Sequence, residues 1–176
     1  MVVGIVDWNY LAMNIEACWN RFLKAEQLVE QGHWPEAYHL FDEVLHHLPQ
    51  HIYAALDDTS IKPCQFACML TGFYDAAVSQ SAIFNQLGNQ HQAFGVLNNA
   101  HATFQFLSIE QTSLIHSVRE VLDKQSNALL DKIAKFCCCQ RNATWMLELE
   151  HVQKAHYYFD SLKQYRDIQS ASITLN

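Results

Sequence analysis

Residues 25–49 read AEQLVEQGHWPEAYHLFDEVLHHLP, an order that specifies two amphipathic helices folded back on each other across one tight turn. Gly32 stands where the first helix must stop, because a glycine just past a helix end takes the left-handed conformation without a Cβ penalty. After His33 and Trp34, Pro35 fits the first turn of a new helix, where its missing N–H would be unpaired anyway. Glu36 beside it suits the positive end of the helix dipole. Ala37, Phe41, Val44 and Leu48 then share one stripe at helical spacing, with Glu36, His39, Asp42, Glu43 and His46 outside it. Pro49 predicts the end of the second helix.

An echo of this pattern surrounds Gly88, 56 residues further on. Ser81 and Phe84 precede that turn, and Ala93, Leu97 and Ala100 follow it at the offsets that Ala37, Phe41 and Val44 hold after Gly32. In the first unit Ala25 supplies a small residue on the first helix, Leu28 its large partner and Gly32 the turn. Trp34 is the aromatic opening the second helix, Ala37 the small contact, Phe41 the aromatic knob and Pro49 the terminator. This order resembles the tetratricopeptide (TPR) repeat, a helix–turn–helix unit with small residues where the helices touch and large ones wedged between them. Arg21, Lys24 and Ala25 replace the Trp and Leu-Gly pair of that pattern, and Val44 replaces a small residue. No aromatic follows Gly88, no proline closes the second unit, and the turns lie further apart than the ~34 residues of a tandem array. The resemblance covers residues 25–49 and 81–100 and implies an irregular stack of paired helices.

With 176 residues, 50% of them hydrophobic, the chain is long enough for one well-buried domain, residues 1–176. The 5 Gly and 3 Pro and the scarcity of β-branched runs leave strands few places to form. The fold class is therefore all-α, and the resemblance implies a TPR-like stack of about six antiparallel helices with irregular repeats. A net charge of −7, with 11 Lys and Arg spread thinly, argues against nucleic acid and points to protein partners. No apolar run approaches the ~20 residues of a membrane span, and the opening MVVGIV lacks a cationic leader. A cytoplasmic protein is expected, and six cysteines suit a reducing compartment better than a disulfide framework. Asn142-Ala143-Thr144 reads as a helix cap rather than as a glycosylation site.

Helices are expected near 8–31, 34–48, 63–87, 89–107, 109–138 and 142–166, with 167–176 a frayed tail. Asp7 caps the first, with Asn14 as a second start, and its stripe runs Trp8, Leu11, Ile15, Cys18 or Trp19, Phe22, Ala25 and Val29. Residues 50–62, with Asp57-Asp58-Thr59-Ser60, form a connector holding at most one helical turn. Pro63 opens the third helix, which buries Phe66, Leu70, Phe73 or Tyr74, Ala77 and Phe84 and carries Gly72 at a cost of ~1 kcal/mol. Asn89 with Gln92, and Ser108 with Gln111, are capping pairs for the fourth and fifth helices.

Glu43 with His46 and Glu148 with His151 have the one-turn spacing of carboxylate-bridged di-iron bundles, but the stripe of the second helix leaves His46 on the far side. Cys64 and Cys68, one turn apart, and the run Cys137-Cys138-Cys139 are candidate metal or redox ligands. Three consecutive helical residues cannot all reach one ion, so apolar filling is the plainer reading. His46, His47 and His51 gather where the dipole of the second helix is negative. His91 and His101 fall on the exposed side of the fourth helix, and His156 falls on an apolar face. No serine sits in a strand–turn–helix context and no glycine-rich phosphate loop occurs. Neither catalytic residues nor a cofactor is expected.

Tyr10, Trp19, Phe73, Tyr74, Tyr157, Tyr158 and Phe159 are more aromatics than one core stripe absorbs. Tyr10, Trp19, Tyr74, Tyr157 and Tyr158 are the candidate partner-binding residues. The expected function is a non-catalytic adaptor, chaperone or regulator holding a peptide or partner helix in a helical groove, without nucleic acid or membrane. The long fifth and sixth helices leave room for a homodimer. The alternative is a metal- or thiol-dependent sensor on the same bundle, using Cys64, Cys68, Cys137, Cys138 and Cys139.

Overall fold

Three residues with left-handed backbone divide the chain into helical hairpins. The computed structural model describes residues 13–173. Among the described residues there are seven helices and no strand: α1 (Ile15–Glu30), α2 (Trp34–Ala55), α3 (Pro63–Gln86), α4 (Gln90–Ser108), α5 (Ser113–Ser117), α6 (Arg119–Cys139) and α7 (Ala143–Ile173). The fold is all-α. Neighbours pack in chain order, α1 on α2, α2 on α3, α3 on α4, α4 on α6 and α6 on α7.

Gly32 and Gly88 close α1 and α3 with φ of 78° and 77°. The N–H of Gly32 donates to the Val29 carbonyl at 3.0 Å, and that of Gly88 to the Asn85 carbonyl at 3.1 Å. The next N–H reaches two residues further back, His33 to Leu28 and Asn89 to Phe84, both at 2.8 Å. These bonds satisfy carbonyls that a helix end leaves open. His33 (φ −85°, ψ 62°) and Asn89 (φ −88°, ψ 65°) then share nearly one backbone geometry, so the two hairpins turn alike. Arg141 repeats the device between α6 and α7 at φ 50°, where a non-glycine residue is uncommon. Its N–H donates to Cys138, and Asn142 Oδ1 caps α7 by accepting from the Thr144 N–H at 2.9 Å.

Small residues close the first two hairpins. Ala25 and Ala37 are both 0% exposed, and Ser81 Oγ donates to the Ala93 carbonyl at 2.9 Å. At the corresponding positions of the third hairpin, seven residues before and five after Arg141, stand Ala134, half-buried, and Met146, which is exposed. The glycine inside α3 also has a packing reason. A Cβ on Gly72 would lie 2.4 Å from Cη2 of Trp19, so α1 and α3 approach through a gap that only glycine leaves.

Several boundaries differ from the expectation. Pro49 does not end α2, which runs to Ala55, because the stripe of Phe41, Val44 and Leu48 continues through Ile52 (0% exposed) and Ala55 (4%). Burying Ile52 is worth ~2–3 kcal/mol, comparable to the ~3 kcal/mol that an internal proline costs. The connector shrinks accordingly, and Asp58 Oδ1 organises it by accepting from the N–H and hydroxyl of Ser60 at 2.9 and 2.6 Å. The described part of the first helix begins at Ile15, with Asn14 Oδ1 accepting from the Ala17 N–H at 2.8 Å; Asp7, Trp8, Tyr10 and Leu11 lie outside the described residues. Asn89 makes no side-chain cap. Ser108 belongs to α4, and Thr112 caps α5 instead, its Oγ1 accepting from the Ile115 N–H at 3.2 Å. The expected fifth helix is broken at Val118 (φ −113°, ψ 13°), which is buried beside Ile115 and Leu122. The expected frayed tail is helical as far as Ile173.

Gly72→Ala should lower stability by ~1–3 kcal/mol through overpacking, despite gaining up to ~1 kcal/mol of helix propensity. In a Trp19→Leu background the same change should be neutral or stabilising, a coupling that a double-mutant cycle in urea reads directly.

Candidate functional site

Along α7, Trp145, Leu149, Val152, His156, Asp160, Lys163 and Asp167 recur at intervals of three and four residues and so share one face. The first three are buried in the core. From His156 onward this inward face is polar and charged. Lys163 Nζ lies 2.9 Å from Asp123 of α6 and 2.7 Å from Asp160, and Arg119 of α6 lies 2.5 Å from Asp167. The opposite face inverts in the other sense: Leu147, Tyr158, Leu162, Tyr165 and Ile168 are exposed by 47 to 69%. The distal half of α7 therefore turns its charges toward the protein and its apolar side chains toward solvent. Tyr157 and Tyr158, with Glu150, Gln153 and Lys154, line a shallow depression of about 280 Å³ on that outer side.

The inward charges frame a cleft of about 300 Å³ between α6 and α7, walled by Arg119, Asp123, Asn127, Asp160, Lys163 and Asp167 among others. Burial works against the Lys163 ammonium, but the hydrogen bonds it donates to Asp160 and Asp123 outweigh burial and raise its pKa. Arg119 donates to Asp167, which lowers the carboxyl and raises the guanidinium. At the head of the cleft His101, 1% exposed, crosses from α4. Its Nε2 lies 3.1 Å from His156 Nδ1, the rings stack 5.2 Å apart at 21°, and His156 Nε2 lies 3.4 Å from Asp160. Burial first, and then the neighbouring His156, push the His101 imidazole down to about 4.

This overturns the placing of His101 on the exposed side. α4 is covered by α3 on one side and by α6 and α7 on another, so the single stripe through Ala93, Leu97, Ala100 and Phe104 understates its buried surface. His91 is exposed as expected. Of the candidate partner-binding residues, Tyr157 and Tyr158 are exposed, whereas Trp19 and Tyr74 are half-buried, Trp19 over Gly72. Pro49 floors a separate groove of about 340 Å³ with Leu45, Phe73, Val96 and Ala100, between α2 and α4.

The thiols separate by burial: Cys18 and Cys137 are buried, and Cys64, Cys68, Cys138 and Cys139 are exposed. Burial raises the Cys18 thiol and pushes Cys137 up to about 11. Among the described residues no group of three or more His, Cys, Asp and Glu is gathered so as to hold a metal ion. Glu43 pairs with Arg21 of α1, and His46 and His151 are exposed. The polar inward stripe of α7 carried a usable signal in its spacing, which continues the core interval from Val152. The His101–His156 contact carried none, since the partners are 55 residues apart.

No protein family matches the chain, and it matches neither a curated protein nor a solved structure.

A colorimetric thiol titration of the native protein near pH 8 should label four cysteines quickly and the remaining two only after denaturation. Fast labelling of all six would contradict the burial of Cys18 and Cys137.

Proposed function

We propose that the protein is a non-catalytic interaction module, an adaptor, chaperone or regulator, that receives an apolar partner helix along the outer face of α7. The supporting observation is the inverted distal half of that helix. A helix on the surface of a protein usually carries a polar outer face. Here Tyr158, Leu162, Tyr165 and Ile168 occupy that face instead. A contiguous apolar patch with tyrosine anchors is the composition of an interaction surface, and tyrosine gives large contact area at low entropic cost. The matching turns at Gly32 and Gly88 support an irregular TPR-like scaffold behind it. No described helix, α7 included, is long and apolar enough to cross a membrane. A net charge of −7 favours a partner with basic residues flanking its apolar stripe.

The double variant Tyr158→Glu/Leu162→Glu replaces exposed side chains only, so its melting temperature should stay within ~2 °C of the parent's. Its affinity for the protein that the parent retains in co-purification should fall more than ~10-fold. Undiminished affinity would remove the outer face of α7 as the binding surface. Light scattering of the parent across a concentration series reports whether the partner is a second copy.

A further inference from the structure

We propose that the His101–His156 pair is a proton-operated latch that releases the distal half of α7 from α4 in mild acid. The proposal is independent of what the outer face of α7 binds. Asp160 Oδ2, 3.4 Å from His156 Nε2, holds the proton of that ring on Nε2 and leaves Nδ1 as a lone-pair acceptor. His101 Nε2–H donates into that lone pair at 3.1 Å. The contact needs one donor and one acceptor. A first proton, taken up on His156 Nδ1, is accommodated when His101 moves its own proton to Nδ1 and accepts through Nε2. A second proton leaves no acceptor: two N–H groups then face each other across 3.1 Å, on two cations stacked 5.2 Å apart.

The surroundings cannot absorb that charge. From α7, only His156 and Asp160 act on His101, and Asp160 is already shared with Lys163 at 2.7 Å. α6 contributes Asp123, held by Lys163 at 2.9 Å, and the buried hydroxyl of Ser126. α3 meets this stretch of α4 with Phe73, whose ring lies 5.9 Å from Phe104. Beyond the pair, the contacts holding distal α7 to the rest of the molecule include the Phe106–Phe159 edge contact, the hydrogen bond that Arg166 donates to the Ile109 carbonyl at the end of α4, and the α6 ion pairs of Lys163 and Arg119. Charging the pair therefore acts on a helix half with little apolar burial of its own.

The sign follows from the low proton affinity of the latched ring, near 4 against 6.5 for a free imidazole. The released form takes up the proton first as pH falls, so the latched form loses stability across that window. The open population should rise roughly tenfold per pH unit between 6.5 and 4, for one linked proton. Hydrogen exchange followed by NMR, corrected for the intrinsic pH dependence of exchange, reads this residue by residue. Amides of residues 153–167 should lose protection with that slope while those of α1 and α2 keep theirs. His101→Gln retains a donating Nε2 but does not titrate, and should flatten the slope even though nearby carboxylates still titrate. Protection in α7 that ignores pH, that falls in step with α1 and α2, or that keeps its slope in His101→Gln would overturn the latch. Long-range proton–nitrogen spectra of the unmodified chain give a test without substitution. A His101 titration near that of a free imidazole would overturn the latch, and one displaced well below it would support it.

Discussion

A helix that reverses direction within two residues needs one backbone unit in the left-handed region, and this chain meets that need at Gly32, Gly88 and Arg141. Everything further out depends on those units. At the first two the glycine and the residue after it return hydrogen bonds into the last helical turn with nearly identical lengths, which fixes the angle at which the next helix leaves. Fixed angles bring the same pairs of positions together in each hairpin, and small residues there, Ala25 with Ala37 and Ser81 with Ala93, let the backbones close. The Ser81 hydroxyl on the Ala93 carbonyl measures that approach directly.

The third hairpin departs from this in a way that shapes the candidate site. Its turn uses Arg141 rather than glycine, and its closing positions hold Ala134 and the exposed Met146. Away from that turn, the space between α6 and α7 is spanned by Lys163, Asp123, Arg119 and Asp167 rather than filled by apolar side chains. Once the inward face of α7 is committed to ion pairs, its apolar residues are left on the outside. The exposed stripe of Tyr158, Leu162, Tyr165 and Ile168 is thus the counterpart of that charged inward face.

The class and the two glycine turns were legible because each rests on a local rule: helical spacing of apolar residues, a glycine past the last turn, a proline in the first. The run of α2 past Pro49 was not, because the burial of Ile52 and Ala55 depends on what packs against them. The break at Val118 was hidden for the same reason, since Leu114 to Leu122 reads as one uninterrupted stripe. His101 was misplaced because one stripe per helix is the wrong assumption for α4, which has neighbours on more than one side. The role of Gly72 needed Trp19, which is 53 positions away in the chain. Tyr157 and Tyr158 were recognisable as surplus aromatics, but the charged inward face that explains their exposure depends on Arg119 and Asp123 of α6, some 40 or more positions away in the chain.

The left-handed turns can be tested without disturbing any side-chain contact, because an L-Cβ at Gly32 or Gly88 would meet no atom within 4 Å. Only the backbone conformation then decides the effect of adding one. The decisive measurement is the unfolding free energy of two semisynthetic proteins carrying L-alanine or D-alanine at Gly32, joined through the native Cys64. With φ at 78°, L-alanine should destabilise by ~1 kcal/mol, and D-alanine should stabilise by ~0.4–1 kcal/mol by narrowing the unfolded ensemble. The opposite order would mean that the chain does not turn there with left-handed backbone, and the stacked-hairpin account would be wrong.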